Sequence, residues 1–314
     1  MDSKIFTQCV SLLLSSKVSL DQIAEKLPEY SITGRNEGGE SWEFCGPALI
    51  IPFRDEVEGY VVIDVVDHEW PDDMGYSDQN SILFAAWKTG NFGVYSFPGS
   101  LERATEQSWA WPEGKSIAFE HSGFIRIRTS YVLGKAEDGE EELSLPEDYD
   151  PVDELEFVTD IAGVLMALPQ TVCYFNPSGE VIRDQATFVE STKLCEEHEV
   201  PTIDLWANVR LFRFDGDWAM MDSVGNGQLG LDDIEACFHT EGHDFNKVDG
   251  LIRMLSMLLF GGEEFEEGES VEDEEGESWH VSFHEDSLCD PPRQVLRLLP
   301  ADGREVPEEL QAGE

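Results

Sequence analysis

Basic side chains are scarce in this sequence: 20 Lys and Arg stand against 66 Asp and Glu in 314 residues, a formal net charge of −46. A surface that binds nucleic acid or an anionic membrane needs clustered Lys and Arg, so this composition argues against both partners. Disorder of the whole chain is not expected, because 41% of the residues are hydrophobic and 18 Phe, 8 Trp and 7 Tyr are present.

Long apolar runs and paired cysteines are also missing. The run at residues 251–260 contains Arg253 and Ser256 and has about half the length that a membrane span needs. Residues 10–14 are predicted to form a buried strand rather than part of a signal peptide, because Asp2 lowers the positive charge of the start. The six Cys are scattered, with no C-x-x-C pair, which favours reduced thiols and a cytoplasmic location.

The common catalytic and nucleotide-binding motifs are absent. The sequence has no G-x-G-x-x-G, no G-x-x-x-x-G-K-[ST], no G-x-S-x-G, no H-E-x-x-H and no zinc-type Cys/His spacing. We therefore assign no catalytic residue and no cofactor; the absence of these motifs favours a protein that is not an enzyme and leaves catalysis without them open. The sequence does not specify an oligomeric state.

The order of elements predicts an α+β fold, with mainly antiparallel sheets and flanking helices. Hairpins are predicted from the apolar runs at 47–53 and 59–66, the turn at 176–179 and the Asp215-Gly216 turn. Regular strand–helix alternation is lacking, which argues against a doubly wound parallel sheet. Residues 203–214 are predicted to be a strand, residues 231–238 a helix, and the acidic run 263–277 a loop.

A domain boundary is predicted at the acidic stretch 137–152. It would separate an N-terminal α+β half, residues 1–136, from a second α+β half, residues 153–300, with a polar tail at 301–314. Residues 137–156 contain eleven acidic residues and no basic residue, which is typical of a solvated loop followed by a helix start. The two halves have similar predicted content, but no residue-level repeat relates them.

Several stretches resemble a bacterial family of uncharacterised proteins. They are IDVVDHEWPDDMG, LFAAWKTGNFGVYSFPG, LEFVTDIAGVLMALPQTVCYFNPSGEVIRD, DLWANVRLFRFDGDWAMMDSVGNGQLGLDDIEACF and DPPRQVLRLLP. The C-terminal half is similar to the domain of unknown function numbered 4261, most specifically over residues 204–235. The resemblance implies an α+β cytoplasmic protein and carries no catalytic residue with it.

The first candidate site is an Asp- and His-rich segment after a predicted strand. Its members are Asp64, Asp67, His68, Trp70, Asp72 and Asp73. Carboxylates and an imidazole are ligands for zinc or manganese and can also act as an acid–base pair. The preferred interpretation is a polar loop whose Asp side chains cap turns, so no metal site is assigned.

The second candidate site surrounds the N-P-S-G turn. Asn176, Glu180, Arg183 and Asp184 could bind a small polar ligand. The preferred interpretation is ordinary turn chemistry at an exposed hairpin tip.

The third candidate site is a predicted strand in which Asp204, Trp206, Asn208 and Arg210 alternate with apolar residues. The i, i+2 spacing would place all four on one strand face, which could form a ligand-binding surface. The alternative is a buried network beneath a helix, with Arg210 paired to an acid, and this interpretation is preferred.

The fourth candidate is the stretch 222–233, which is superficially similar to a calcium loop. Val224 occupies a position that should ligate, and Asp233 stands where a bidentate Glu is expected. The preferred interpretation is a Gly-rich turn that leads into a helix.

Two functional hypotheses follow. The first is a non-enzymatic, immunity-like or inhibitor-like protein that binds a basic protein partner through the acidic stretches at 137–156 and 263–277, because complementary charge accelerates encounter. The alternative is an enzyme or a small-ligand or metal-binding protein that uses the loop at 64–73 and the polar strand face at 204–210. A third explanation concerns the acidity alone, which adaptation to a saline cell would also produce.

Overall fold

The computed structural model describes residues 5–38, 42–75, 80–131, 145–198, 200–214 and 217–311. The chain divides into two compact units, Met1–Trp206 and Ala207–Glu314, which we call the N-terminal and C-terminal units. Each unit has a mostly antiparallel sheet with helices, so the predicted α+β class is confirmed. None of the helices in the described ranges is long and apolar enough to cross a bilayer.

The N-terminal unit contains a sheet with the strand order β2-β3-β4-β5-β1-β6-β7, in which all described pairs are antiparallel. The strands are β1 (Gln8–Leu14), β2 (Gly34–Asn36), β3 (Ala48–Pro52), β4 (Tyr60–Val66), β5 (Gly123–Ser130), β6 (Thr171–Asn176) and β7 (Val181–Arg183). The helices are α1 (Leu20–Lys26), α2 (Ser81–Lys88), α3 (Ser100–Glu106), α4 (Gly114–Ile117), α5 (Pro151–Leu165), α6 (Gln185–His198) and α7 (Ile203–Trp206).

Local sequence signals explain the ends of these helices. Ser19 accepts a hydrogen bond from the backbone N–H of Gln22, whose side chain accepts one from Ser19 in return, a capping box that fixes the start of α1. Asp150 caps α5, and Pro151 follows it at the first helical position. Helix α5 packs against β1 and β5 through an apolar face that includes Leu155.

The C-terminal unit contains a sheet with the strand order β11-β12-β13-β10-β9-β8. The strands are β8 (Asn208–Arg213), β9 (Trp218–Val224), β10 (Asp233–His239), β11 (Ser270–Glu272), β12 (Ser278–His284) and β13 (Val295–Pro300), and the helices are α8 (Phe245–Phe260) and α9 (Glu308–Gln311). Strands β10 and β13 pair in parallel, whereas the other described neighbours are antiparallel.

Successive side chains along each strand point to opposite sides, which gives the C-terminal sheet two different faces. One face packs its apolar side chains, such as Ile234, Ala236 and Phe238, against α8, whose buried residues recur every three or four positions. The opposite face carries Asp233, Glu235 and the charged residues described below. This alternation of period two shows why the predicted helix at 231–238 is wrong: residues 233–238 of that segment lie in strand β10.

Other predictions differ from the structure at segment boundaries. Residues 203–206 form helix α7 rather than a strand, since the N–H of Leu205 bonds back to the carbonyl of Thr202, and strand β8 begins at Asn208. The predicted loop 263–277 contains strand β11. The Asp215-Gly216 turn and residues 137–144 of the predicted boundary lie outside the described residues.

The two units divide between Trp206 and Ala207, which corrects the predicted boundary at 137–152. The reason is strand pairing: β6 pairs with β1 and β7 pairs with β6, so the segment after the acidic stretch completes the first sheet.

Candidate functional site

A row of charged side chains crosses the C-terminal sheet on the face away from α8. Arg210 lies opposite Asp222, Asp222 lies opposite Glu235, and Glu235 lies beside Arg297 in the strand register. Directly opposed residues project from the same face of a sheet, so the register alone brings these four side chains together. We call Arg210, Asp222, Glu235 and Arg297 the charged row.

All four members are buried and paired. Arg210 donates to Asp222 in a bidentate arrangement, from Nε to Oδ1 at 2.9 Å and from Nη2 to Oδ2 at 2.6 Å. The Nε and Nη2 atoms of Arg297 both lie 3.0 Å from Oε2 of Glu235. Each of the four side chains has a relative exposure of 0%. Two hydrogen bonds in each pair, bidentate in the case of Arg210 and Asp222, offset part of the large desolvation cost of such buried charges.

Arg293 and Asp233 extend the charged row at one end. The Nη2 atom of Arg293 donates to Oδ2 of Asp222 at 2.6 Å, and its Nε lies 3.2 Å from Oδ2 of Asp233. Asp233 also accepts hydrogen bonds from the hydroxyl of Ser223 and the backbone N–H of Asn226. Three arginines therefore face three carboxylates, which leaves the interior network without net charge.

The charged row holds a covering segment, Asp286–Arg293, over this face of the sheet. Arg210 donates to the carbonyl of Asp290 at 2.7 Å, and Glu235 accepts from the backbone N–H of Leu288 at 2.7 Å. Arg293 donates to carbonyls of its own segment. The segment includes the cis peptide bond between Asp290 and Pro291. The row thus satisfies backbone groups of a loop that lacks regular structure.

The electrostatic environment of the charged row is that of a structural ion-pair network rather than of a site for proton transfer. Burial raises the pKa of Glu235 and of Asp233, while Arg297 and Arg293 respectively oppose that rise. Burial also raises the pKa of the Cys289 thiol to about 11, so it is protonated near neutral pH. A protonated, half-buried thiol is a poor nucleophile.

A serine–histidine pair lies at the other end of the row, but its orientation opposes nucleophilic catalysis. The Oγ of Ser282 is 3.0 Å from Nε2 of His284, and Nη1 of Arg297 lies 3.5 Å from Nδ1 of the same ring. Arginine can only donate, so Nδ1 is assigned as the acceptor and Nε2 as the protonated nitrogen. A protonated Nε2 cannot take the serine proton, and burial together with Arg297 lowers the pKa of His284.

The predicted loop site at 64–73 begins with a buried ion pair. Asp64 lies on β4, opposite Arg126 on β5, and its carboxylate accepts from Nε and Nη2 of Arg126 at 3.1 and 2.6 Å. Arg128 donates to the same carboxylate at 2.9 Å. The two guanidinium groups offset the effect of burial, and the pKa of Asp64 lies below its usual value. Asp64 is thus a structural ion in the sheet.

The other predicted members of this loop are directed to different partners. Exposed Asp67 pairs with Lys17 at 3.0 Å, and the Nδ1 of His68 donates to the carbonyl of Glu69 at 2.9 Å. Trp70 is 5% exposed and packs its ring against Phe175.

Asp72 and Asp73 act as caps, as the preferred interpretation of this loop predicts. The carboxylate of Asp72 accepts from the backbone N–H groups of Leu101 and Glu102 at the start of α3, and Asp73 accepts from Gly75.

The predicted turn site at 176–184 is structural, although the hairpin tip is buried rather than exposed as predicted. Asn176 accepts from the N–H groups of Ser178 and Gly179, which is the turn chemistry expected from the sequence. Glu180 is 1% exposed and pairs with Arg103 at 2.6 Å, because the loop before α3 covers the tip.

The side chains of Arg183 and Asp184 form hydrogen bonds with nearby backbone groups. Arg183 donates to the carbonyl of Asp204 at 2.9 Å, and Asp184 accepts from the N–H and hydroxyl of Thr187 at the start of α6.

The predicted polar face at 204–210 does not form as one surface. Asp204 and Trp206 lie on α7 in the N-terminal unit, where the indole N–H of Trp206 donates to Thr159. Asn208 and Arg210 lie on β8 in the C-terminal unit. The preferred interpretation, a buried Arg210 paired to an acid, is confirmed, although the covering segment rather than a helix lies over it.

The calcium-like stretch 222–233 is also accounted for by protein contacts. Asp222 and Asp233 pair with arginines, and Asn226 donates to Ser223 and Ser256. In the described part of the chain, no three His, Cys, Asp or Glu side chains are placed to hold a metal ion.

The sequence reasoning missed the basic partners of the buried acids: Arg126, Arg128, Arg293 and Arg297. A signal was present, because Arg126 and Arg128 alternate with Ile125 and Ile127 on a strongly apolar strand. Arginines in that setting must be buried on one face and therefore need acidic partners. Their cross-strand partners depend on register, which no local pattern reveals.

Comparison with known protein families finds one matching region in this chain. The family model of the domain of unknown function DUF4261 matches residues 222–299, which confirms the resemblance over that part of the C-terminal unit. The match contains Asp222, Glu235, Arg293 and Arg297, whereas Arg210 precedes it. No curated protein and no solved structure matches the chain significantly.

Proposed function

We propose that the protein is a non-enzymatic, cytoplasmic binding protein that engages a basic protein partner through an acidic surface of its C-terminal unit. The acidic surface is residues 263–277, which contain ten acidic side chains and no basic one. Nine of the ten are exposed. The observation that carries the proposal is that a folded framework holds this segment.

The framework is the edge of the C-terminal sheet. Strand β11 pairs with β12, and the carbonyl of Glu269 accepts from the N–H of Val281. Asp273 accepts from the N–H groups of Glu275 and Glu277, which fixes the following turn. A fixed array of carboxylates loses less side-chain and backbone freedom on binding than a flexible one, so it is suited to a specific partner.

Within the acidic surface, charge compensation is sparse. Lys247 pairs with Glu275 at 2.6 Å, and Glu267 and Glu269 accept backbone hydrogen bonds. Five other side chains have no partner among the described residues: Glu263, Glu264, Glu266, Glu272 and Glu274. Such side chains are free to pair with Lys and Arg of a partner.

The cytoplasmic location is proposed from the cysteines, all six of which are unpaired. The inhibitor-like role is proposed because acidic surfaces steer basic proteins and repel other acidic ones. The enzyme alternative has less geometric support, since Asp64 and Arg210 are committed to buried ion pairs.

The test compares two variants of equal charge. One replaces the five unpartnered Glu of the acidic surface by Gln, and the control replaces five exposed Glu of the N-terminal unit: Glu25, Glu29, Glu113, Glu190 and Glu197. Wild type and both variants are used as bait in source-cell lysate at low and high salt. The partner is identified by mass spectrometry, then purified and titrated calorimetrically.

We expect a basic protein that binds wild type and control with one-to-one stoichiometry, binds the surface variant at least ten-fold more weakly, and is released by salt. The inhibitor-like role further predicts that the partner loses catalytic activity in the complex. Equal binding to both variants, or a partner without net positive charge, would refute the proposal.

A further inference from the structure

Strand β11 forms one edge of the C-terminal sheet, and part of its backbone faces away from the sheet. It stands last in the strand order, and within the described part of the chain its one neighbour is β12. The N–H of Val281 on β12 donates to the carbonyl of Glu269, just before β11. The N–H of Asp273, just after β11, donates to the carbonyl of Glu277. The odd-numbered residues of this segment therefore face β12.

The even-numbered residues of β11 face the open side. In an antiparallel pair, the backbone groups of successive residues point alternately toward the neighbouring strand and away from it. The N–H and C=O groups of Ser270 and Glu272 therefore point outward, and both residues are exposed. No backbone partner for these groups lies among the described residues. Two donors and two acceptors in line are a template for a further strand.

Local turns hold this edge in an extended form. The N–H of Glu269 bonds to the carbonyl of Glu266, and Gly268 has φ +81°, as the third residue of a type II turn requires. The N–H of Gly268 bonds to the carbonyl of Val281, so Gly268 and Glu269 together oppose one residue of β12 in a β-bulge. An edge that is already extended loses less conformational freedom when a strand is added to it.

The charges around the edge determine which kind of strand can pair with it. Val271 packs toward α8, so alternation places Glu272 on the opposite face of the sheet. Glu266 and Glu274 flank the strand in sequence, and all three glutamates are exposed. A second copy of this edge, or any acidic strand, would be repelled. An extended segment with Lys or Arg side chains would be attracted.

A cavity of about 180 Å³ lies between α8 and the turn that follows β11. Leu251 and Met254 of α8 contribute apolar lining, and Asp273 and Glu274 contribute carboxylates. Pockets for small molecules have volumes of about 300 Å³ or more, so this cavity is suited to a single side chain. A Lys or Arg side chain could lay its methylene groups on the apolar lining and direct its charge to the carboxylates.

A lysine of this chain already pairs with an acid of the cavity lining. Lys247 lines the cavity, and its Nζ lies 2.6 Å from Oε2 of Glu275. The side chains are 53% and 56% exposed, and an ion pair with that exposure contributes little to stability. A basic side chain of a partner could therefore replace Lys247 at small cost.

We infer that strand β11 binds an extended basic segment of the partner, which adds to the C-terminal sheet as a further strand and places one Lys or Arg side chain in the cavity beside α8. This inference rests on the proposed function and adds the form in which the partner binds. Main-chain hydrogen bonds with Ser270 and Glu272 would supply affinity, and the cavity and the surrounding carboxylates would supply selectivity.

The test compares two probe peptides of equal charge, each of about ten residues in which Lys and Val alternate. One has an unmodified backbone, and in the other the central amides are N-methylated, which prevents strand pairing. Both are titrated by fluorescence anisotropy into the full-length protein at low salt. We expect the unmodified peptide to bind at least ten-fold more tightly, because the methylated one loses about two or more hydrogen bonds.

Three variants test the two parts of the site. Ser270→Pro removes an outward N–H at a position where an edge strand tolerates proline, and is expected to weaken binding of the unmodified peptide about five-fold. Lys247→Ala frees the cavity and is expected to strengthen binding about three-fold. The control Arg253→Ala removes an exposed charge of α8 outside the cavity and is expected to change binding less than about two-fold.

Hydrogen exchange of wild type, followed by mass spectrometry, tests the location without any substitution. The unmodified peptide is expected to slow exchange at Ser270 and Glu272 at least ten-fold and to leave that of α1 unchanged. Bound peptide without this protection would overturn the inference, as would equal effects of K247A and R253A.

The peptide titrations separate this inference from the proposed function. Equal affinity for the two peptides would overturn the inference and leave the proposed function standing, because charge alone would then hold a basic partner. Failure of both peptides to bind, or equal binding of a peptide with Glu in place of Lys, would also overturn the inference. The proposed function itself fails only if the lysate experiment gives one of its refuting outcomes.

Discussion

Glu154 offers the sharpest quantitative prediction, because it is a buried acid without an ion-pair partner. It lies in the first turn of α5, is 1% exposed and accepts a long hydrogen bond, 3.4 Å, from the hydroxyl of Tyr149. Hydrogen bonding by the hydroxyls of Tyr131, Thr7 and Tyr149 lowers its pKa, but by less than burial raises it. Burial is the main cause that raises its pKa from 4.5 to about 7.

The shift can be converted into a stability difference. The native state binds this proton more tightly than the unfolded state, so the contribution to the free energy of unfolding is fully present below about pH 4.5. It is lost as pH rises to about 7. A shift of about 2.5 pKa units at 1.36 kcal/mol per unit corresponds to about 3 kcal/mol. Glu154→Gln remains neutral at every pH and keeps the side-chain shape.

The assay is urea unfolding of wild type and E154Q from pH 4.5 to 8.5, followed by circular dichroism. The difference in unfolding free energy between variant and wild type is expected to increase by about 3 kcal/mol in favour of the variant, mostly between pH 5 and 7. Glu113→Gln, which changes an exposed acid, is the control and should show no comparable change. A difference for E154Q that is constant across this range would refute the reasoning.

Three further changes test the packing of the chain. Asp222→Asn leaves buried Arg210 without its carboxylate and removes one of the two carboxylates that Arg293 contacts, so it is expected to lower the free energy of unfolding by about 3–5 kcal/mol in urea titrations; a loss below 1 kcal/mol would contradict the assigned network. Gly250→Ala, at an exposed position of α8 with open space around its Cβ, is expected to stabilise by about 0.5–1 kcal/mol in the same assay. Cys45 should react with a thiol reagent at least ten-fold faster than buried Cys173 and Cys237 when each site is followed by mass spectrometry, and equal rates would contradict their burial.

The elements that could be predicted from sequence are those with strong local signals. The hairpin of β3 and β4 follows from two apolar runs around a charged turn. Ser19 was identifiable as a cap because a serine with Gln three residues later forms a capping box. Local chemistry determines each of these features.

The failures come from long-range context. Strand β10 resembles a helix locally, because apolar residues and acids also recur at spacings of three and four. Strand pairing determines the outcome: β10 pairs with β9 on one side and with β13, whose paired residues lie 62 positions later, on the other. The candidate site failed for the same reason, since the acids in it have cross-strand arginine partners far away in sequence, such as Asp64 with Arg126.

Arginines that are paired with buried carboxylates do not offset the acids at the surface of the C-terminal unit. The sequence after residue 206 contains seven basic residues. Three of them, Arg210, Arg293 and Arg297, form ion pairs with buried carboxylates inside the C-terminal unit. Four basic residues remain to offset all of the other acids of that unit. At physiological ionic strength exposed charges act over about 8 Å, so this imbalance would act on the basic partner proposed above, whereas the buried pairs would not. Substitutions in the charged row should therefore change stability with little effect on encounter rate, and substitutions in the acidic surface should do the reverse.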